Sequence, residues 1–155
     1  MTKFNIKANN KEYDIEVEEN TPLIFVLRNH LKLKGTKLGC SLEQCGACLV
    51  LADGEKTYSC TSSIKEVEGK NIITIEGLGT PKNMNVIQKA FVNHRAAQCG
   101  YCLPGIIIAS KALLDKNPKP KENEIKEALS KNLCRCGSHN SIIKAILSLT
   151  NEVRK

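Results

Sequence analysis

Between Lys3 and Val17 apolar and polar residues alternate: Phe4, Ile6 and Ala8, then Asn9-Asn10, then Tyr13, Ile15 and Val17. A period of two on both sides of an Asn-Asn turn predicts a β-hairpin. Thr21-Pro22 then opens a helix, with Thr21 as N-cap, Pro22 at the first helical position, and Leu23, Val26, Leu27 and Leu31 as the buried stripe. Ala47 to Leu51 and Lys56 to Cys60, on either side of Asp53-Gly54, read as a second hairpin, and Ile72 to Ile75 as a further strand. Strands gathered around one helix imply a β-grasp-like first half.

From Met84 the period changes to that of helices. Val86, Ile87, Ala90, Phe91 and His94 suit one; Ile106, Ile107, Ala109, Ala112, Leu113 and Leu114 a second; Ile125, Ala128 and Leu129 a third; Ile142, Ile143, Ile146, Leu147 and Val153 a fourth. The composition shifts at Gly77-Leu78-Gly79-Thr80-Pro81, so the expected class is α+β, with a β-grasp domain over 1–78 and a four-helix domain over 79–155. A chain of 155 residues buries roughly two thirds of its unfolded surface, enough for one ordinary core or two small ones.

Eight cysteines sharpen this picture, because they fall into two groups of four. Cys40, Cys45, Cys48 and Cys60 have the plant-type [2Fe–2S] thiolate spacing. Cys99 and Cys102, in Gln98-Cys99-Gly100-Tyr101-Cys102, and Cys134 and Cys136, in Leu133-Cys134-Arg135-Cys136-Gly137, supply four more sulfurs for a second two-iron cluster. An anionic cluster needs main-chain N–H groups turned inward, hence tight loops. Gly35, Gly39 and Gly46 suit such loops through their tolerance of unusual dihedrals, and the Cys-Gly-x-Cys device occurs twice, at Gly46 and Gly100. Arg135 between two cysteines offers a charge that offsets the cluster, tunes its potential or pairs with a partner; plain solvent exposure is the other reading. A four-cysteine zinc ribbon is the rival metal site, but joining Cys45/Cys48 to Cys99/Cys102 spans two differently patterned halves and orphans the other four thiols. A Rieske centre needs two histidines beside cysteines, which His139 alone does not supply, and His30 and His94 fit helix packing or surface.

The formal net charge of +7 invites a nucleic-acid reading, yet the lysines are spread along the chain and there is no Trp and only three Phe and three Tyr for base stacking. Two clusters of charge about minus two each offset about four of those positive charges. The N-terminus has no apolar core and no twin arginine, and no apolar run reaches the roughly 20 residues of a membrane span. The expectation is a cytoplasmic chain without nucleic-acid partner or membrane insertion, whose clustered thiols serve metal or redox work. Ser41, Ser59 and Ser138 lack a base and oxyanion loop and no phosphate-cradling motif is present, so no substrate chemistry is expected within the chain itself.

Gly39-Cys40-x4-Cys45-Gly46-Ala47-Cys48, Gln98-Cys99-Gly100-Tyr101-Cys102-Leu103-Pro104-Gly105 and Asn132-Leu133-Cys134-Arg135-Cys136 together resemble the small iron–sulfur subunit of the molybdenum hydroxylases, the xanthine dehydrogenase and aldehyde oxidoreductase family. The resemblance covers nearly the whole chain. It implies a plant-ferredoxin-like β-grasp domain followed by a helical bundle around the second cluster. It implies an electron-transfer subunit beside a large subunit that holds a molybdenum pterin cofactor and hydroxylates a heterocycle or aldehyde. By the same resemblance the second cluster lies next to the pterin, Gln98 and Cys136 are pterin neighbours, and the Cys40/Cys45/Cys48/Cys60 cluster is the outer one. Cys134-Arg135-Cys136-Gly137-Ser138-His139, with Leu27-Arg28-Asn29 and Glu76-Gly77-Leu78-Gly79, is most similar to small subunits of nicotinate dehydrogenase and isoquinoline oxidoreductase type. That branch implies an N-heteroaromatic substrate and a c-type cytochrome or flavoprotein as acceptor. A free-standing two-cluster ferredoxin and a zinc-stabilised binding module are the alternatives.

Overall fold

The computed structural model describes residues 1–152. Strands β1 (Thr2–Ala8) and β2 (Lys11–Val17) form the first hairpin, turning through Asn9 and Asn10 at φ +51° and +63°, the left-handed pair that a tight two-residue turn demands. Strands β3 (Leu49–Ala52) and β4 (Glu55–Tyr58) form the second around Asp53-Gly54, and β5 (Asn71–Ile73) completes a five-stranded sheet of order β2-β1-β5-β3-β4. β5 runs parallel to β1 and antiparallel to β3.

One helix packs on this sheet: α1 (Leu23–Phe25), which continues as a wider π-type turn over Val26–His30. It starts one residue later than the Thr21-Pro22 pattern suggests, and Thr21 does not cap it. The segment is used for pairing instead: Pro22 bridges Ser63, Leu23 N–H donates to the Ser62 carbonyl, and the Thr21 carbonyl accepts from Ile64 N–H. The predicted stripe is nonetheless right, since Leu23, Val26, Leu27 and Leu31 are buried against Phe4, Ile6, Val50, Ile64 and Ile72. Ile75, expected at a strand end, begins the single turn α2 (Ile75–Leu78). The strand stops because buried Thr74 exchanges hydrogen bonds with Asn9: Asn9 Nδ2 donates to Thr74 Oγ1 and Thr74 N–H to Asn9 Oδ1, each at 2.9 Å.

The second half contains α3 (Val86–Asn93), α4 (Leu103–Lys116), α5 (Glu122–Ala128) and α6 (His139–Glu152). Asn85 caps α3, accepting from Gln88 N–H while the Gln88 side chain accepts from Asn85 N–H. Val86, counted in the apolar stripe of α3, is 64 % exposed, because at the first position of the helix it points away from the face formed by Ile87, Ala90 and Phe91. Val153, counted in α6, lies outside the described residues.

Strand β3 joins the halves. All four of its residues are buried: Val50 and Ala52 face the α1 core, whereas Leu49 and Leu51 pack with Ile108, Ala109 and Ala112 of α4. No helix among the described residues is long and apolar enough to cross a membrane.

Candidate metal centres

The β3–β4 hairpin sets half of the first thiol group. Leu49 pairs with Tyr58, so Cys48 and Cys60 flank the open end of the ladder, and their sulfurs lie 3.2 Å apart. Buried Ser59 locks this end, its hydroxyl donating to the Cys48 carbonyl at 2.7 Å. The other half comes from the Gly39–Cys48 loop. There Cys40 Sγ accepts from Leu42 N–H and Gln44 N–H, and Cys45 Sγ from Cys40 N–H, all at 3.3 Å. N–H groups converging on sulfur make an anion-holding nest. The loop needs left-handed backbone at Ser41, Glu43 and Gly46, with Gly46 at φ +70°. Gly39 and Gly35 do not adopt such dihedrals: a Cβ on Gly39 would fall 2.5 Å from Cys45 Sγ, and Gly35 packs against Ile75 and Glu76, so both give room rather than torsional freedom.

These environments split the thiols. Burial alone would raise Cys40, but the N–H groups of Leu42, Gln44 and Cys45 prevail and bring it down to about 7. Burial, with the neighbouring Cys60 thiol, pushes Cys48 up to about 12. A coordinating thiol gives up its proton outright, so Cys48 ionises only with a cation beside it.

The second group sits where two helices begin. Cys102 immediately precedes α4, and Cys134 and Cys136 lie on the α5–α6 loop, just ahead of α6. The positive ends of two 14-residue helices therefore face this group, favouring negative charge there. Gly100 turns the Cys99–Cys102 loop at φ +79°. Tyr101 N–H, then contact with Cys136, holds Cys99 below the ordinary thiol range. Burial, then the adjacent Cys134, pushes Cys102 up to about 12. Burial opposes ionisation of Cys134, but Ser138 N–H and Cys102 outweigh it and lower its pKa.

The thiols thus meet in twos: Cys48 with Cys60, Cys102 with Cys134, Cys99 with Cys136. Among the described residues no three or more His, Cys, Asp or Glu side chains gather around one point, as a single ion would require. Pairs are what a two-iron cluster uses, with two thiolates on each iron. All-sulfur donors and inward N–H groups at both places, joined by helix N-termini at the second, fit an anionic iron–sulfur cluster.

The chain matches two family models in succession: a 2Fe-2S iron-sulfur cluster binding domain over residues 6–74 and a [2Fe-2S] binding domain over 74–147. Over 155 residues it is 42 % identical to one of the subunits of nicotinate dehydrogenase from Pseudomonas putida, covering all of this chain and 99 % of that one. The chain belongs to the small iron–sulfur subunits of the molybdenum hydroxylase family. The alpha chain of isoquinoline 1-oxidoreductase from Brevundimonas diminuta is 47 % identical over 131 residues, 84 % of this chain and 86 % of that one. The solved structure of quinoline 2-oxidoreductase from Pseudomonas putida 86 superposes with a TM-score of 0.92 at 35 % identity, over 99 % of this chain and 96 % of that one. Two [2Fe–2S]-binding domains are present, and the α+β class expected from the periodicities is the one found.

Of the remaining residues singled out in the sequence, Gln98 and Cys136 are brought together: Gln98 Nε2 donates to the Cys136 carbonyl at 3.0 Å. Arg135 is exposed and in no ion pair among the described residues. His30 and His94 are exposed, in keeping with a surface role. Sequence reasoning missed how closely the two thiol loops approach. Leu133 N–H donates to the Cys45 carbonyl at 3.0 Å, and the Tyr101 hydroxyl to the Leu38 carbonyl at 2.5 Å. Nothing local to either segment signals partners so distant in sequence.

Proposed function

We propose that this chain is the electron-transfer subunit of a molybdenum hydroxylase acting on an N-heteroaromatic compound or aldehyde, and that it relays electrons outward one at a time to a c-type cytochrome or flavoprotein. Cys40, Cys45, Cys48 and Cys60 hold the outer cluster in the domain over 1–78. Cys99, Cys102, Cys134 and Cys136 hold the inner cluster in the domain over 79–155. When bound, each cluster supplies a site for one electron. The chain's own residues do the rest: N–H groups of Leu42, Gln44 and Tyr101 lean on the sulfurs and favour their anionic form, and the α4 and α6 N-termini add to this at the inner site.

Gln98 and Cys136 face the partner's pterin, with Gln98 fixing the Cys136 main chain through its 3.0 Å bond. The observation that carries the reading is the direct hydrogen bond between the two thiol loops, Leu133 N–H to the Cys45 carbonyl, which a relay between neighbouring centres would need. Nicotinate dehydrogenase and isoquinoline 1-oxidoreductase among the relatives support the substrate class. The assembly works in the cytoplasm, where clustered thiols stay reduced and open to metal.

The test is anaerobic purification of the native protein, with iron, acid-labile sulfide and molybdenum counted and EPR recorded after dithionite reduction. Two distinct [2Fe–2S] signals and co-elution with a large molybdenum-bearing chain are expected. A lone monomer with both signals would replace this reading by a free-standing ferredoxin, and a silent, zinc-loaded protein would end the electron-transfer role.

A further inference from the structure

Tyr101 stands between Cys99 and Cys102 and is 51 % exposed, yet its hydroxyl is committed to the Leu38 carbonyl, 63 residues away and two residues before Cys40. A half-exposed ring gains little from burial, so packing does not account for its placement. What the hydroxyl does is tie the entry of the first thiol loop to the second. A second tie lies beside it: Asn132, buried and two residues before Cys134, directs Nδ2 at the Gly46 carbonyl at 3.5 Å. The fit there is close enough that a Cβ on Gly46 would collide with that amide. Neither side chain is a sulfur donor, and each loop already has its thiols without them.

We propose that Tyr101 is a positioning residue for electron exchange between the two clusters: its hydroxyl, backed by Asn132, clamps the Leu38–Cys45 segment against the Cys99–Cys102 loop and fixes the separation and orientation of the two centres. The step it serves is a one-electron exchange in which the reduced centre loses an electron and the oxidised one gains it, with no bond made or broken. This inference rests on the ligand assignment and relay proposed above.

Tyr101→Phe keeps the ring and removes only the hydroxyl. The readout is the magnetic coupling between the two reduced clusters in the anaerobic native complex, measured by EPR, which falls with the third power of their separation. Expected are unchanged iron and sulfide content, unchanged g values for each centre when reduced singly, and a weakened coupling in the fully reduced protein. Asn132→Ala should shift the coupling the same way, and should Asn132→Ala fail to accumulate, Tyr101→Phe alone decides. Coupling equal to wild type in iron-replete Tyr101→Phe overturns the clamp. A wild-type protein without two [2Fe–2S] signals would instead overturn the ligand assignment, so the two failures are distinguishable.

Discussion

Gly105, the third residue of α4, is where that helix touches the first thiol loop. A Cβ there would overlap the Gly46 carbonyl oxygen and lie 2.9 Å from Gly46 C and 3.1 Å from Ala47 Cα. All three atoms are main chain, so relief requires moving the loop that carries Cys45 and Cys48. Gly105→Ala sets two effects against each other. Helix propensity favours Ala by about 1 kcal/mol. Forcing a carbon into a filled interior costs about 1–3 kcal/mol, and a rigid main-chain obstacle puts this case at the upper end. The net is a loss of about 1–2 kcal/mol. At this chain length that lowers the unfolding midpoint by about 2–8 °C. The assay is thermal unfolding under anaerobic conditions at fixed pH and protein concentration, compared as midpoints because a metal-loaded chain need not unfold in two states. The damage should also be local, with the outer-cluster EPR signal weakened before the inner one. A Gly105→Ala protein as stable as wild type, or more so, and iron-replete would refute the close approach of α4 to the loop.

Three further outcomes are expected. Ile108→Ala, at a fully buried position between α4 and β3, should cost about 2–5 kcal/mol in denaturant unfolding, and a loss under about 1 kcal/mol would mean that the two halves do not share this core. In the apoprotein, iodoacetamide should label Cys40 far ahead of Cys48 at about pH 7; with Cys40 near 7 its thiolate fraction and labelling rate climb from about pH 6 to 8 and then level, while Cys48, near 12, stays protonated and slow, and equal rates by mass spectrometry would contradict the nest around Cys40. Cys136→Ser should stop electrons leaving the molybdenum-bearing partner, whereas Cys48→Ser should leave that first transfer intact and block the second; rapid-mixing spectra showing normal reduction of an external acceptor by both variants would overturn the order of the relay.

Much of the architecture was legible because the chain repeats its signals. Period-two alternation around Asn9-Asn10 marked the first hairpin and the Asp53-Gly54 turn between two strand-like runs marked the second, and the apolar stripes of α3 to α6 stood out once the period changed. Pro22 misled because a proline fits a helix start and a strand-like bridge equally well, and the partner that decides, Ser63, is far along the chain. The tight turns that carry the cysteines were legible from spacing alone, since Gly46 and Gly100, each between closely spaced cysteines, take left-handed backbone. What spacing does not encode is the space between loops. Gly105 reads as a weak position in a helix and Asn132 as an ordinary loop polar residue; only the packing of one against Gly46, and the reach of the other to it, reveals that both are shaped by the opposite domain.

Among the described residues the two halves meet where Leu49 and Leu51 pack against α4, where Lys116 of α4 pairs with Glu55 of β4, and where the thiol loops approach each other. A hinge about any one of them breaks the other two. That matters for a relay, because electron exchange weakens steeply with distance, and centres held on separately packed cores keep a fixed gap only if the interface is as rigid as the cores. The chain meets this need mainly with main chain rather than long side chains. Cys45 and Leu133 bond through their backbones, and the α4 helix at Gly105 abuts the Gly46 carbonyl with no side chain between. Such contacts have no rotamers through which to swing. Tyr101 and Asn132 bridge the same gap with side chains, and of the two Tyr101, held from a half-exposed position, is the contact whose removal the fold is expected to tolerate while the coupling between the clusters registers the change.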